Sequence, residues 1–301
     1  MHMASDIYFK NVIDLVLFTV VDLDKLRKNV WDEELISPPG TLFESQKTGG
    51  LALFVVTVPA AGANPDEPGH RRMLPGGTIR AEESLDQASR RLAWELAGVP
   101  GHTRLRQVGV FDEPSRSPGE RVISFAYWGM VEFDYLRKFL GGRDRVGLEL
   151  VSSSSMLRQF ASLAGQLDFY DGMSRFGGRR AISSQTGRTH DRQPSPLNNG
   201  KILDLDHDDM VFYAWRKLRH GFNGRMDPFK FLGFNPLTEA FPLSDLQELA
   251  EVCRGELIQR DYFRRQMTSD DSFLRLAGKV DPNSPIKRAG KPANLYSPDE
   301  G

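Results

Sequence analysis

The residues of this chain best spaced for chemistry lie between Leu74 and Val99, LPGGTIRAEESLDQASRRLAWELAGV. Glu83, Arg91 and Glu95 follow the pair Gly76-Gly77 at fixed intervals, and Gly98-Val99 close the run. On a helix, positions 92, 95 and 96 stand at i, i+3 and i+4 and share one face. Three carboxylates there would hold hard cations against a diphosphate, because magnesium takes oxygen ligands together with substrate phosphates. The metal would polarise phosphorus and activate water. Two of the three positions are instead Leu92 and Leu96. Glu95 alone is a poor magnesium site, Glu83 is the other weak candidate, and Arg91–Glu95 can close on itself as an i,i+4 ion pair. The side chains present do not supply that chemistry. No catalytic residue and no metal site is expected.

Ser84-x-x-Gln87 is a capping-box start for the helix that carries these positions. Gly98, with Pro100 soon after, is a stop. Leu85, Ala88, Leu92 and Leu96 would form its buried stripe. Around it, 11–22, 51–58, 107–111 and 122–131 read as strands, with SPPG at 37–40 in an intervening loop or partly helical excursion. Strands around a glycine turn and a helix predict a mixed α/β sandwich.

Gly77, Glu83, Arg91, Glu95, Gly98 and Val99 fall at the spacing of the Nudix box, and the segment resembles it. The bland reading is an amphipathic helix after a glycine turn; six matches at fixed spacing favour the Nudix-like fold. The stretch 107–131 resembles the segment after the box in the ADP-ribose-handling branch of that family. It runs through Asp112-Glu113-Pro114-Ser115-Arg116 and then Arg121-Val122-Ile123-Ser124. Taken by itself it reads equally as a solvated hairpin loop.

The chain has 301 residues, enough for two domains, and a formal net charge of −1, so any nucleic-acid surface must be local. One cysteine, Cys253, excludes an internal disulfide framework and a multi-Cys zinc site. It reads as a small core residue. The apolar run 12–21 contains Asp14 and is too short to span a bilayer. No signal peptide is read, so a cytoplasmic protein without membrane association is expected. Residues 141–200 are polar and turn-rich, with a possible helix over 156–169. Arg179, Arg180, Arg188 and Arg192 there read as linker residues rather than phosphate contacts.

From Leu205 the pattern is helical. The segment 206–220 carries acids at its start and bases at its end, matching the helix dipole, and Gly221 is read as its stop. Asp206, His207, Asp208 and Asp209 are explained by that dipole rather than by a metal. Ser244-x-x-Gln247 is read as the cap of a further helix. A second helix over 259–268 turns Phe263 and Met267 inward and Arg260, Arg264 and Arg265 outward, which is helix–turn–helix spacing. Two strands at 274–280 and 293–296 would form a wing, with Lys287, Arg288 and Lys291 in the loop between them. Arg254–Lys291 holds nine basic and five acidic residues, the local excess that DNA binding requires.

The order of these signals resembles the Nudix-related transcriptional regulators of NAD metabolism, the NrtR type. The quoted motifs are the box, Asp204-x-Asp206-His207-x-Asp209, PLSDLQ, FRRQM and RAGKPANLY. The resemblance covers most of the chain except about 24–50 and 141–200. It implies a Nudix-like effector domain over 8–150, a linker or insertion over 151–203 and a winged helix–turn–helix domain over 204–301. It further implies a homodimer on operator DNA, with ADP-ribose or a related nucleotide as effector and no required cofactor. Gly76, Gly77, Arg91, Glu95, Arg116 and Arg121 are the expected effector contacts. Arg260, Arg264, Arg265, Lys287, Arg288 and Lys291 are the expected DNA contacts. The rivals are an active ADP-ribose pyrophosphatase, disfavoured by Leu92 and Leu96, and an interaction scaffold, disfavoured by the arginine-rich helix and wing.

Overall fold

The computed structural model describes residues 9–22, 50–63, 71–117, 119–141, 149–152, 203–222, 227–269, 272–280 and 293–299. The expected helix over 156–169, the linker arginines 179–192 and the wing-loop residues Lys287, Arg288 and Lys291 lie outside the described residues.

Strand β1 (Lys10–Asp22) is the axis of a seven-stranded sheet. One side pairs in parallel with β6 (Val122–Met130), which pairs antiparallel with β5 (Arg106–Phe111). The other side takes β2 (Leu51–Pro59) at its C-terminal end and β4 (Gly76–Thr78) at its N-terminal part, both antiparallel. The short strands β3 (Arg72–Met73) and β7 (Glu149–Ser152) pair with β2. The continuous apolar run of β1 is explained by burial on both faces. Ile13, Leu15 and Leu17 enter one core, while Val16 and Phe18 enter the other.

The first core is closed by α1 (Leu85–Ala97), followed after β6 by α2 (Phe133–Gly141). Ser84 and Gln87 form the expected capping box, and Gly98 ends α1 in the left-handed conformation at φ 62°. The second core is closed by α3 (His207–Gly221), which lies on β1, β5 and β6 and also touches α5 (Leu243–Arg254). The expected domain boundary at 203/204 therefore precedes a helix that completes the sandwich as well as joining the C-terminal unit. Glu248 on α5 accepts the Leu51 N–H of β2 at 2.9 Å. The Trp215 indole on α3 donates to the Cys253 carbonyl at 2.9 Å.

The C-terminal unit continues with α4 (Pro228–Leu232), β8 (Phe241–Pro242), α5, α6 (Arg260–Met267), β9 (Leu274–Lys279) and β10 (Asn294–Pro298). The three strands form one sheet in the order β8-β10-β9. Phe263 and Met267 are buried, as the helical spacing requires, and Arg260, Arg264 and Arg265 are exposed. Arg104 and Arg106 at β5 donate to the Lys230 and Phe231 carbonyls at 2.5 and 2.6 Å, satisfying acceptors at the end of α4.

Two local expectations are corrected. Ser244 and Gln247 form no capping box: Pro242 precedes the helix without a side-chain cap. Ser244 donates to Asp245, and the Gln247 amide donates to Glu251 and to the Ile258 carbonyl. The helix starts at Leu243, so Ser244 already lies within its first turn rather than at the cap position that a capping box needs. Gly221 lies within α3 rather than beyond it, and its missing side chain admits the Phe231 ring, which a Cβ would overlap.

Trp215 is fully buried in the core shared by the sheet, α3 and α5. Trp215→Ala is expected to cost roughly 3–5 kcal/mol in urea unfolding. The sandwich and the C-terminal unit should lose stability together, followed by near-ultraviolet dichroism and by calorimetry.

Candidate functional site

The glycine turn is built by close approach. A Cβ on Gly76 would run into Asp14 Oδ1 and lie 2.6 Å from the Ile13 carbonyl oxygen; one on Gly77 would lie 2.8 Å from Leu92 Cδ2. The pairing of β4 with β1, Gly76 opposite Asp14 and Gly77 opposite Ile13, needs that space. Leu92 is therefore a packing partner of the turn. It is 5% exposed and belongs to the α1-side core, with Leu96 partly buried against that core.

The remaining carboxylates of the motif are held by arginines. Both Arg91 Nε and Nη2 donate to Glu83, the latter at 2.8 Å. Arg91 Nη1 donates to Glu95 at 2.9 Å, and Nη2 also reaches the Thr78 carbonyl at 3.1 Å. Arg80 adds its N–H to Glu83 at 3.1 Å and its guanidinium to Glu95 at 3.4 Å. The Arg91 hydrogen bond, working against partial burial and aided by the Arg80 N–H, lowers the Glu83 pKa to about 2. Arg91 is correspondingly raised. The network pins the loop to the helix. A divalent cation would have to displace an arginine from each carboxylate and would find leucine on the rest of the face. Among the described residues no three His, Cys, Asp or Glu side chains gather as a metal site. The residues present do not fit the magnesium that the complete motif would bind.

On the opposite side of the glycine turn lies a buried polar cluster. Asp14 on β1 accepts the Ser124 hydroxyl at 2.5 Å. Its Oδ2 lies 3.6 Å from the Arg116 guanidinium and 3.8 Å from His207 Nε2. Arg116 donates twice to Asp206, at 2.9 and 2.8 Å. His207 Nδ1 accepts the Leu74 N–H at 3.0 Å, which assigns its ring proton to Nε2, on the side of Asp14. Asp208 accepts the Leu203 N–H at 3.2 Å. Burial works to lower the Arg116 pKa, but the hydrogen bonds and charges of Asp206 and Asp14 outweigh it, so the group is raised and stays charged. Arg116 was expected to make phosphate or structural contacts. Its side chain is 2% exposed and joins the segment after β5 to Asp206 at the start of α3. Asp14, Ser124, Asp206 and His207 were not expected as one group. The only signal was charge in apolar or cap-like contexts, which spacing could not join. Arg121 is partly exposed, donating to the Asp112 carbonyl at 2.6 Å with its guanidinium over Phe9.

The arginines of α6 are exposed, on a helix anchored in the core through Phe263 and Met267. Arg265 Nε is 3.3 Å from the Asp261 carbonyl. On the wing, Arg275 donates to Ser297 at 3.0 Å. Helix, turn, helix and a two-stranded wing form a unit that can lay one helix in a groove and the wing beside it.

Residues 233–297 match the family model of the NrtR DNA-binding winged helix domain. Comparison with curated proteins returns no match. The structure of NrtR from Shewanella oneidensis complexed with a 27mer DNA matches with a TM-score of 0.52 at 20% identity, over 95% of this chain and 92% of that one. A second Shewanella oneidensis NrtR structure gives 0.51 at 20% identity, over 96% and 94%. A MutT/nudix family protein from Enterococcus faecalis gives 0.50 at 14% identity, over 97% and 88%. The architecture is thus a Nudix-like α/β sandwich followed by a winged helix–turn–helix domain. In that combination the chain is NrtR-like.

The charge networks have two expected consequences. Arg116→Met removes the shared cation and leaves Asp206 and Asp14 facing each other in a buried site; it is expected to destabilise the chain by about 3–5 kcal/mol in chemical denaturation. Glu83 has its pKa lowered on folding, so its contribution to stability is fully present above pH 4.5 and is lost as pH falls through about 2. The difference in Tm between the natural chain and Glu83→Gln should therefore be constant above pH 5 and shrink steadily below 4.5. A difference independent of pH would contradict the ion pair.

Proposed function

We propose that this chain is a DNA-binding transcriptional regulator that acts as a cytoplasmic homodimer on operator DNA. In this reading its Nudix-like domain senses a nucleotide such as ADP-ribose without hydrolysing it, in the control of NAD-related genes. The observation that carries the reading is the winged-helix match over 233–297, together with an exposed arginine face on its second helix. Support comes from the Shewanella NrtR structure that holds a 27mer DNA. Among the described residues no helix is long and apolar enough to cross a membrane.

The sensing step rests on position. The nucleotide lies against Gly76-Gly77, with Arg91 and Glu95 at the floor and Arg121 at the rim. The Gly76 backbone stands directly over Asp14, and Asp14 shares Arg116 with Asp206. A ligand that shifts the turn or the 112–121 loop by a fraction of an ångström changes that cluster, and α3 passes the change to α5. Differential affinity for the two arrangements is what makes such a shift regulatory. Arg260, Arg264 and Arg265 enter or flank the major groove, and Lys287, Arg288 and Lys291 meet the backbone or the minor groove.

The full chain should select a specific duplex from the organism's genomic fragments, and ADP-ribose should change its affinity for that duplex. Arg264→Ala or Arg265→Ala should cost roughly 1–3 kcal/mol on that duplex. The triple change at 287, 288 and 291 should weaken all duplexes and flatten the salt dependence, since fewer counterions are released. With magnesium, turnover of ADP-ribose should stay well below about 1 per second. Turnover at that rate by the pure chain, with no duplex selected, would put the hydrolase reading in front.

A further inference from the structure

We propose that Asp261, Tyr262 and Arg265 are the residues of α6 that read base identity. Asp261 and Arg265 take the two halves of a G·C pair or step, and Tyr262 takes the methyl group of a neighbouring thymine. This rests on the DNA-binding reading and deepens it: it names the bases rather than the polymer.

Helix α6 has a fixed inner face. Phe263 and Met267 are 3% and 7% exposed, so the side chains two residues away on the wheel point out. Asp261 and Arg265 stand at the centre of that outward face, with Tyr262 beside them and Arg260 and Arg264 on the flank. All five are exposed. Arginines on such a face suit phosphates and guanines alike. Of the other two, Asp261 suits only bases, and Tyr262 offers an aromatic ring that apolar base contacts can use as well as a hydroxyl. A carboxylate on a surface that meets phosphates repels them. Asp261 nevertheless remains there, and among the described residues its carboxylate forms no ion pair or hydrogen bond, although Arg265 lies one turn away and turns its Nε to the Asp261 carbonyl. An acid in a first turn favours the helix dipole. That role alone carries no base preference and is separable by experiment.

The chemistry of the major groove gives the assignment. Cytosine presents an N4 amino donor that a carboxylate accepts, while guanine presents O6 and N7 acceptors that arginine takes bidentately. Residues at i and i+4 have Cβ atoms about 5–6 Å apart, within reach of one base pair or two stacked ones. Tyr262 is a large aromatic left 52% exposed, with no aromatic neighbour among the described residues. Thymine is distinguished in the groove by its C5-methyl, which apolar contact reads.

The test uses the full chain and the duplex it selects from a random library. Guanine and cytosine positions in that duplex are replaced in turn, and each thymine is replaced by deoxyuridine, which deletes only the methyl. The natural chain should lose about 5- to 150-fold at the read G·C position and a smaller factor at one thymine. Asp261→Ala should lose the cytosine preference while binding scrambled duplex as tightly or more tightly, because a negative charge has gone. Asp261→Asn should move the preference toward adenine, whose N6 and N7 an amide reads. Tyr262→Ala should bind thymine and deoxyuridine duplexes equally. Unchanged melting temperatures show that the variants are folded. Variants that bind with the natural base preference overturn this assignment alone; a natural chain that selects no duplex overturns the DNA-binding reading with it.

Discussion

The guanidinium of Arg116 is the interaction on which the arrangement of this molecule depends. It is almost fully withdrawn from water, bidentate on Asp206 and within 3.6 Å of Asp14. A buried charge is tolerated only when paired and hydrogen-bonded, and the pairing is specific in direction as well as in energy. The three residues come from the central strand, from the loop after β5 and from the residue before α3. Their mutual satisfaction therefore fixes where α3 lies on the sheet. Replacing such a group with apolar residues often costs nothing in stability, so its presence is better explained by positional definition.

The position of α3 has consequences in both directions. Its apolar side fills the second face of the sheet with Met210, Val211 and Leu218, and Trp215 reaches across to the Cys253 carbonyl on α5. The two units consequently share one core. The contact of Glu248 with the Leu51 N–H adds a second tie between α5 and the sheet. Contacts run in succession from Gly76 to Asp14, from Asp14 to Arg116, from Arg116 to Asp206, and from α3 to α5.

The two leucines of the altered motif belong to the same pattern of packing. Leu92 lies under Gly77, where a carboxylate would have no water and no cation. Glu83 and Glu95 are bound by Arg91 and Arg80. The helix retains its capping box and left-handed glycine stop. The strand–turn–helix is Nudix-like in shape, while two of the three positions that would carry metal ligands are the buried Leu92 and the partly buried Leu96.

The sequence by itself determined what depends on neighbours along the chain. The 3.6-residue period set α1, α3 and α6, continuous β-branched runs set β1 and β2, and Ser84 with Gln87 set a cap, because each signal is satisfied within a few residues. The motif spacing likewise made the Nudix-like sandwich and the winged helix legible, including the inward Phe263 and Met267. Tertiary structure decided the rest. Ser244 and Gln247 have the same spacing as Ser84 and Gln87, yet the helix starts earlier, at Leu243, and the cap does not form. Gly221 is a close-approach residue for Phe231, which no local pattern reveals. Arg116 reads as a loop cation until Asp206, ninety positions away, takes it. Charge pairs between distant segments depend on which surfaces meet and on what burial costs an unpaired ion, and neither quantity is written in the order of residues.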